Sequence, residues 1–209
     1  MKRHTRDQPH SECQSSVDKH NSVFRLPTAL CLLLLALLSC AHPPRIYLRP
    51  QTDLSEFKRI AVLPFDNLSG EEDAGEKITE IFTVELLRMG SFSVAEPGRV
   101  KKAVMEKRIR TTRDMDIEAV RWLGESLEVD LILAGSVLDF SAEESAGKKV
   151  PMVTVISRLV QAESGVTVWT AYQSRQGDDK ESLFGWGRIT SLSELARLAV
   201  SEMLQSLHQ

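Results

Sequence analysis

Hydrophobic positions recur along this chain in two rhythms, and the rhythms divide it into elements. Residues 59–65 (RIAVLPF) are almost continuously apolar, as expected of a buried strand. From Asp73 to Met89 the apolar residues Ala74, Ile78, Ile81, Phe82, Leu86 and Met89 return at intervals of three and four, the stripe of an amphipathic helix. Gly90 stands where its C-terminal cap belongs. Residues 91–95 alternate as a short strand. Pro97 opens a second helix through Val100, Val104 and Met105. A third runs from Asp116 to Leu127, with Ile117, Val120, Leu123 and Leu127 on one side. Residues 131–140 (LILAGSVLDF) read as a second buried strand. Residues 152–162 and 166–174 are rich in Val, Thr, Ile and aromatics, and Glu163-Ser164-Gly165 between them marks a hairpin. The chain closes with a helix from Ser191 to Leu207, bearing Leu195, Ala199, Met203 and Leu207, with Ser191 and Glu194 as its capping box.

The element order is therefore β-α-β-α-α-β-β-β-α. Helices between the early strands imply crossovers, and the hairpin implies antiparallel pairing. The expected fold class is α/β (α+β), a single mixed sheet covered by helices. Residues 56–209 form the folded domain, about 150 residues and enough for one well-buried core.

The first residues have another purpose. Residues 26–39 (LPTALCLLLLALLS) are uncharged but fall short of the ~20 apolar residues of a spanning helix. Lys2, Arg3, Arg6, Lys19 and Arg25 precede them, the order of a secretory signal, and the length of this basic region leaves open a start downstream of Met1. Leu37-Leu38-Ser39-Cys40 resembles the bacterial lipobox. The resemblance implies that residues 1–39 are a removed lipoprotein signal peptide and that Cys40 becomes a lipidated N-terminus. Several acyl chains, at ~0.8 kcal/mol per buried CH₂, make a stable anchor. Ala41, rather than Asp, favours the outer membrane by the sorting rule that accompanies this motif. Residues 40–55, with Pro43, Pro44 and Pro50, are expected as an extended tether.

Composition narrows the chemistry. Apolar residues make up 42% and charged residues 26%, a globular balance. The net charge of −3 becomes −5 once residues 1–39 leave, so there is no electrostatic footprint for nucleic acid. All three cysteines (Cys13, Cys31, Cys40) lie in the first 40 residues, and between Pro43 and Leu207 there is neither Cys nor His. That excludes zinc sites, disulfide frameworks and imidazole-based triads from the domain. No catalytic residue, metal site or cofactor is assigned. The stretch Gly70 to Lys77 resembles a phosphate loop only loosely, because Glu76 and Lys77 stand where that loop needs Lys and then Ser or Thr. Glu143-Glu144 and Asp178-Asp179 are adjacent pairs expected in solvated loops. Lys101, Lys102, Lys107, Arg108, Arg110 and Arg113 lack interleaved aromatics and read as a solvated face. The loop Phe184-Gly185-Trp186-Gly187-Arg188 offers two readings. Phe184, Trp186 and Arg188 are candidate partner-binding residues, or the loop folds back over its own sheet.

Residues 59–70 (RIAVLPFDNLSG) resemble the opening strand of three bacterial envelope groups. These are the curli secretion lipoprotein (CsgG) family, the penicillin-binding-protein activator lipoprotein LpoB and the N-terminal domain of TolB. Residues 129–140 (VDLILAGSVLDF) and the hairpin 156–169 (ISRLVQAESGVTVW) are similar to later motifs of the same groups. The resemblance implies a lipid-anchored periplasmic domain of the outer membrane. It would have no catalytic role, would bind envelope proteins in assembly, secretion or cell-wall synthesis, and could form a homo-oligomer. An accessory or pore-associated subunit of a CsgG-type export complex is the alternative, and an enzyme using carboxylates or lysines a more distant one. A pore of its own is not expected. The stretches 141–150 and 176–189 are short and charged, whereas each spanning strand needs ~9–11 residues of outward apolar alternation.

Overall fold

The two most apolar runs lie side by side and parallel. Ile60, Ala61 and Val62 pair with Leu131, Ile132 and Leu133. Around this pair the computed structural model, which describes residues 43–145, 148–179 and 187–208, builds one sheet of seven strands. The strands are β1 (Arg45–Leu48), β2 (Arg59–Val62), β3 (Asp66–Asn67), β4 (Ser93–Val94), β5 (Leu131–Ser145), β6 (Lys148–Gln161) and β7 (Thr167–Gln176). The helices are α1 (Ala74–Met89), α2 (Pro97–Glu106), α3 (Ile117–Leu127) and α4 (Leu192–Gln205). The order across the sheet is β1-β7-β6-β5-β2-β4, with β3 beside β5. β2 pairs in parallel with β4 and β5, as β3 does with β5, while β5, β6, β7 and β1 pair antiparallel. The expected mixed sheet is the observed one.

Helix ends fall where local chemistry puts them. Gly90 closes α1 at φ 69°, its N–H donating to Leu86 O. The side chains of Glu96, Asp116 and Ser191 accept from the first-turn N–H groups of α2, α3 and α4 respectively.

Three expectations need correction. Residues 40–55 are not a tether throughout, because Arg45–Leu48 joins the sheet as an edge strand on β7, with Leu48 opposite Trp169. The prolines flank this segment rather than interrupt it, and β7 offers an open edge of backbone donors and acceptors. Residues 141–145 and 148–150 are not a loop, since β5 and β6 keep pairing out to Ser145↔Lys148. The register sets Glu144 opposite Lys149, which places unlike charges across the ladder. Finally, Asp179 is not a solvated loop carboxylate, for its Oδ2 lies 3.5 Å from Nη1 of the buried Arg175.

The sheet has a core on each face. On the first, Leu131, Leu133, Val155, Leu159 and Trp169 pack under α1 and α4, which contribute Ile78, Phe82, Leu86, Leu195, Ala199 and Met203. On the second, Ala61, Leu63, Ile132, Ala134 and Val160 pack under Val100 and Ala103 of α2 and Val120 and Leu123 of α3.

Two contacts fix how these layers meet. The Phe65 ring stacks on Phe82 with centroids 4.8 Å apart and crosses β5 at Gly135. A Cβ there would overlap Phe65 Cε1 and come within 2.5 Å of Ile156 O. The glycine in the LILAGS run is thus a space requirement. At the other end of the sheet, Asp130 Oδ2 accepts from Lys58 N–H (2.8 Å) and Arg59 N–H (2.9 Å), holding the start of β2 against β5. Partial burial of Asp130 opposes its charge, but those two N–H donors and the Arg59 guanidinium outweigh it and hold the carboxyl below its usual range.

Gly135→Ala should lower unfolding stability by about 1–3 kcal/mol through overpacking, and adding Phe65→Leu should recover part of it, as read by urea melts. The Asp130 carboxyl titrates lower in the folded than in the unfolded chain. Its contribution is therefore complete above the unfolded value of about 3.9 and is lost as pH falls through the folded one. Asp130→Asn should cost about 1–2 kcal/mol at neutral pH and flatten the stability profile below about pH 4. An unchanged acid limb would remove this clamp from the account.

Candidate functional site

The helical layers cover the sheet unequally. On the first face α4 packs on both β6 and β7. On the second, α2 rests on β2 and α3 on β5, so the second faces of β6, β7 and β1 lie beyond them. β7 records this residue by residue. Trp169, Ala171, Gln173 and Arg175 are buried, while Thr170, Tyr172 and Ser174 between them are only half-buried.

A belt of apolar side chains crosses this open half. Leu68, just after β3, is 45% exposed, Leu138 38%, Ile156 37% and Tyr47 53%. The register aligns them: Asn67 pairs with Val137, Ser136 with Ile156, Ile156 with Tyr172 and Thr170 with Tyr47. Leu138 sits at a bulge, where the β5–β6 register shifts between Val137 and Asp139. An extra residue of this kind re-aims its side chain. Around the belt lie hydroxyls and cations: Thr154 Oγ1 and Ser174 Oγ share a hydrogen bond of 3.0 Å, and Arg45 is exposed at the β1 edge.

One margin of the belt is a fixed rim. The carboxylate of Asp66 accepts from Thr111 Oγ1 (2.8 Å), Thr112 N–H (3.0 Å), Thr112 Oγ1 (3.0 Å) and Arg113 N–H (3.3 Å). Arg158 reaches from β6 to the same segment, Nη2 donating to Thr112 O (2.7 Å) and Arg113 O (3.2 Å). The connection between α2 and α3 is thereby pinned to the sheet from both sides. This arrangement offers rigid apolar and aromatic area beside hydroxyls and guanidinium groups, the chemistry of protein recognition.

Ser55 holds the Asp53 carboxyl low, the N–H groups of Gly98 and Arg99 do so for Glu96, and both carboxylates serve as caps. A surface hollow of about 580 Å³ is lined by Arg59, Arg121, Glu125, Glu128 and Glu163. Its cations are engaged, Arg121 Nε donating to Glu163 O (2.8 Å) and Arg59 lying 3.6 Å from Glu128. Among the described residues no group of three or more His, Cys, Asp or Glu is placed to hold a metal ion. Nor is any described helix long and apolar enough to cross a membrane.

Of the residues singled out from the sequence, Cys40, Phe184 and Trp186 lie outside the described residues. Arg188 is half-buried against its own domain, its Nη2 donating to Lys149 O at 3.4 Å. The sequence reading missed Tyr47, Leu68, Leu138 and Ile156. The available signal was the isolated Ile156 in TVISR and Tyr172 in TAYQS, apolar residues among polar ones on the same strand face.

No family model matches this chain, and no curated protein resembles it closely enough to count as a match. Solved structures do. PelC from Paraburkholderia phytofirmans, a dodecamer, superposes with a TM-score of 0.56 at 22% identity, over 78% of this chain and 95% of that one. The fold is shared. Lipoprotein GNA1162 from Neisseria meningitidis gives 0.52 at 19% identity, over 72% and 98%. The C-terminal domain of LpoB from Salmonella enterica overlaps more loosely, at 0.43 and 12% identity over 56% and 82%.

The rim has a direct test. Asp66→Ala removes one acceptor from four donors, and charge-assisted hydrogen bonds contribute about 1.5–3 kcal/mol each. The amides of Thr112 and Arg113 should then exchange at least about tenfold faster, because the segment opens locally. Amides of β6 and β7 should keep their rates. Equal protection at the rim in both proteins would show that Asp66 does not hold it.

Proposed function

We propose that this chain is a lipid-anchored docking module of the bacterial outer membrane, which works by binding other envelope proteins on the open half of its sheet rather than by catalysis. The observation that carries this reading is the Leu68–Leu138–Ile156–Tyr47 belt, exposed on a face whose reverse side is packed under α4 along β6 and β7. Exposed apolar belts with a polar rim mark interaction surfaces. The lipobox-like Leu37–Cys40 supports the anchor. The lipoprotein named among the structures that share the fold supports the location, and the dodecameric PelC supports self-association.

β1 begins at Arg45, five residues after Cys40, a chain distance of at most ~18 Å. A lipid on Cys40 would therefore keep the β1 edge, and Tyr47 with it, near the membrane surface. The arms of β5 and β6 that project past β7 carry Glu144 and Lys149 and are shorter than the ~9–11 residues of a spanning strand, which favours docking over pore formation. Phe184 and Trp186 are retained as candidate anchors of the same kind of contact.

In the native envelope, Ile156→Asp together with Tyr47→Asp should reduce crosslinks to partner proteins at least about tenfold, the equivalent of 1.4 kcal/mol. Cys40→Ser should move the chain out of the membrane fraction. Crosslinks that survive both aspartates would eliminate the sheet face, and crosslinks left unchanged by alanine at both Phe184 and Trp186 would eliminate that loop. A Cys40→Ser chain still sedimenting with membranes would eliminate the lipid anchor.

A further inference from the structure

Two exposed helical stripes, on opposite layers of the sheet, carry opposite charge around apolar centres. On α1, Glu76, Glu80, Val84 and Leu87 follow at spacings of four, four and three, one line along the outer face. Val84 is 60% exposed and Leu87 58%. The cations of this helix are already engaged: Lys77 Nζ lies 5.7 Å from the Phe140 ring centre, and Arg88 Nη2 holds the buried Glu85 at 2.6 Å. Glu76 and Glu80 have no such partner among the described residues, and the exposed Glu71, Glu72 and Asp73 extend the acidic run ahead of the helix.

On α2 the signs are reversed. Met105 is 69% exposed, with Lys101 and Lys102 one turn before it and Arg108 one turn after. Lys102 is joined only loosely, 3.8 Å from Glu106, and Lys101 and Arg108 have no ion pair among the described residues. Arg108 also occupies an unusual backbone position. It lies at φ 56°, just past the end of α2, where Ile109 N–H donates to Val104 O and Arg108 N–H to Met105 O. Glycine or asparagine is the usual occupant of such a cap. Here the chain keeps a cation beside Met105 instead.

The sheet separates the stripes, α1 covering its first face and α2 its second, so one copy cannot satisfy both. We propose that the partner of each stripe is a second copy of this chain. Val84 and Leu87 of one copy pack beside Met105 of the next, while Glu76 and Glu80 meet Lys101, Lys102 and Arg108. The contact joins two different surfaces and is therefore heterologous: every added copy presents both stripes again, and the assembly either closes as a ring or continues as a filament. It goes beyond the docking reading, because neither stripe belongs to the open half of the sheet.

Cysteine pairing in native membranes tests this with the full chain. One tagged copy carries Val84→Cys and another Met105→Cys, with the unsubstituted chain setting the background from its own cysteines. Mild oxidation should give a disulfide-linked dimer from the mixture and not from either copy alone, and both substitutions in one chain should give a ladder. Glu76→Lys with Glu80→Lys, or Lys101→Glu with Arg108→Glu, should each weaken the mixed dimer at least fivefold, and placing one pair on each copy should restore it. All these positions are exposed, and thermal melts matching the parent confirm folding. Single-cysteine copies that pair with themselves as well as with each other would overturn the heterologous contact, as would the absence of any disulfide above background. If the disulfides fail while crosslinks sensitive to Ile156→Asp persist, self-docking falls and the docking reading stands.

Discussion

Two consecutive residues where the chain leaves β2 and enters β3, Phe65 and Asp66, tie this fold together. Phe65 points into the first core, where its ring crosses Gly135 and stacks on Phe82, while its N–H donates to Thr79 Oγ1 at 2.9 Å. That hydroxyl in turn donates to Gly75 O at 2.7 Å, so one side chain sets the height of α1 above β2 and β5 together. Asp66, the next residue, points to the other face as strand alternation requires, and there it gathers the rim from Thr111 to Arg113. A one-residue slip would put a carboxylate in the first core and an aromatic ring at the rim. The position of α1 on one face and the edge of the open surface on the other thus depend on the same register.

The elements that local chemistry dictates were legible in the sequence. The α4 stripe of Leu195, Ala199 and Met203 is buried as its spacing predicts, and Ser191 caps the helix. What the sequence did not show depends on distant partners. β1 exists because β7 has an edge to offer, and nothing within RIYL announces that. In the run Ala171-Tyr172-Gln173-Ser174-Arg175, polarity alone would send Tyr172 inward and the charged residue outward. The structure does the opposite, because a later helix supplies a carboxylate for Arg175. Alternation says that the two faces of a strand differ, and leaves open which face another element will cover.

That carboxylate belongs to Glu202. Arg175 is only 3% exposed, and its guanidinium grips Glu202 through Nε to Oε2 (2.8 Å) and Nη2 to Oε1 (2.7 Å). Gln173 Nε2 donates to the same carboxylate at 2.7 Å. Such a pair is a weak source of net stability, since removing two charges from water offsets most of their attraction. Its geometric effect is larger. An apolar helix on an apolar sheet can slide by a turn with little penalty, but a two-pronged ion pair admits one position. The cluster sets where α4 lies along β7, and with it where Trp169 Nε1 finds Ser206 Oγ, 2.9 Å away.

Connectivity then explains why half of one face is bare. The passage from β2 to β4 crosses the sheet in one direction and carries α1. The passage from β4 back past β2 to β5 runs the opposite way and carries α2 and α3. Right-handed crossovers that travel in opposite directions deposit their helices on opposite faces, so the parallel half is covered on both sides. From β5 onward each strand pairs antiparallel with the next, and no described helix lies between β5 and β7. Among the described helices only α4, following β7 in the chain, packs on that half, and it covers one face. Among the described residues, the second face of β6, β7 and β1 therefore has no helix to cover it. Ile156 and Tyr47 there, with Leu138 beside them on β5, nevertheless keep apolar surface in water, where polar residues would be the simpler choice for a permanently solvated sheet. A partner that supplies the missing layer reconciles that topology with those side chains.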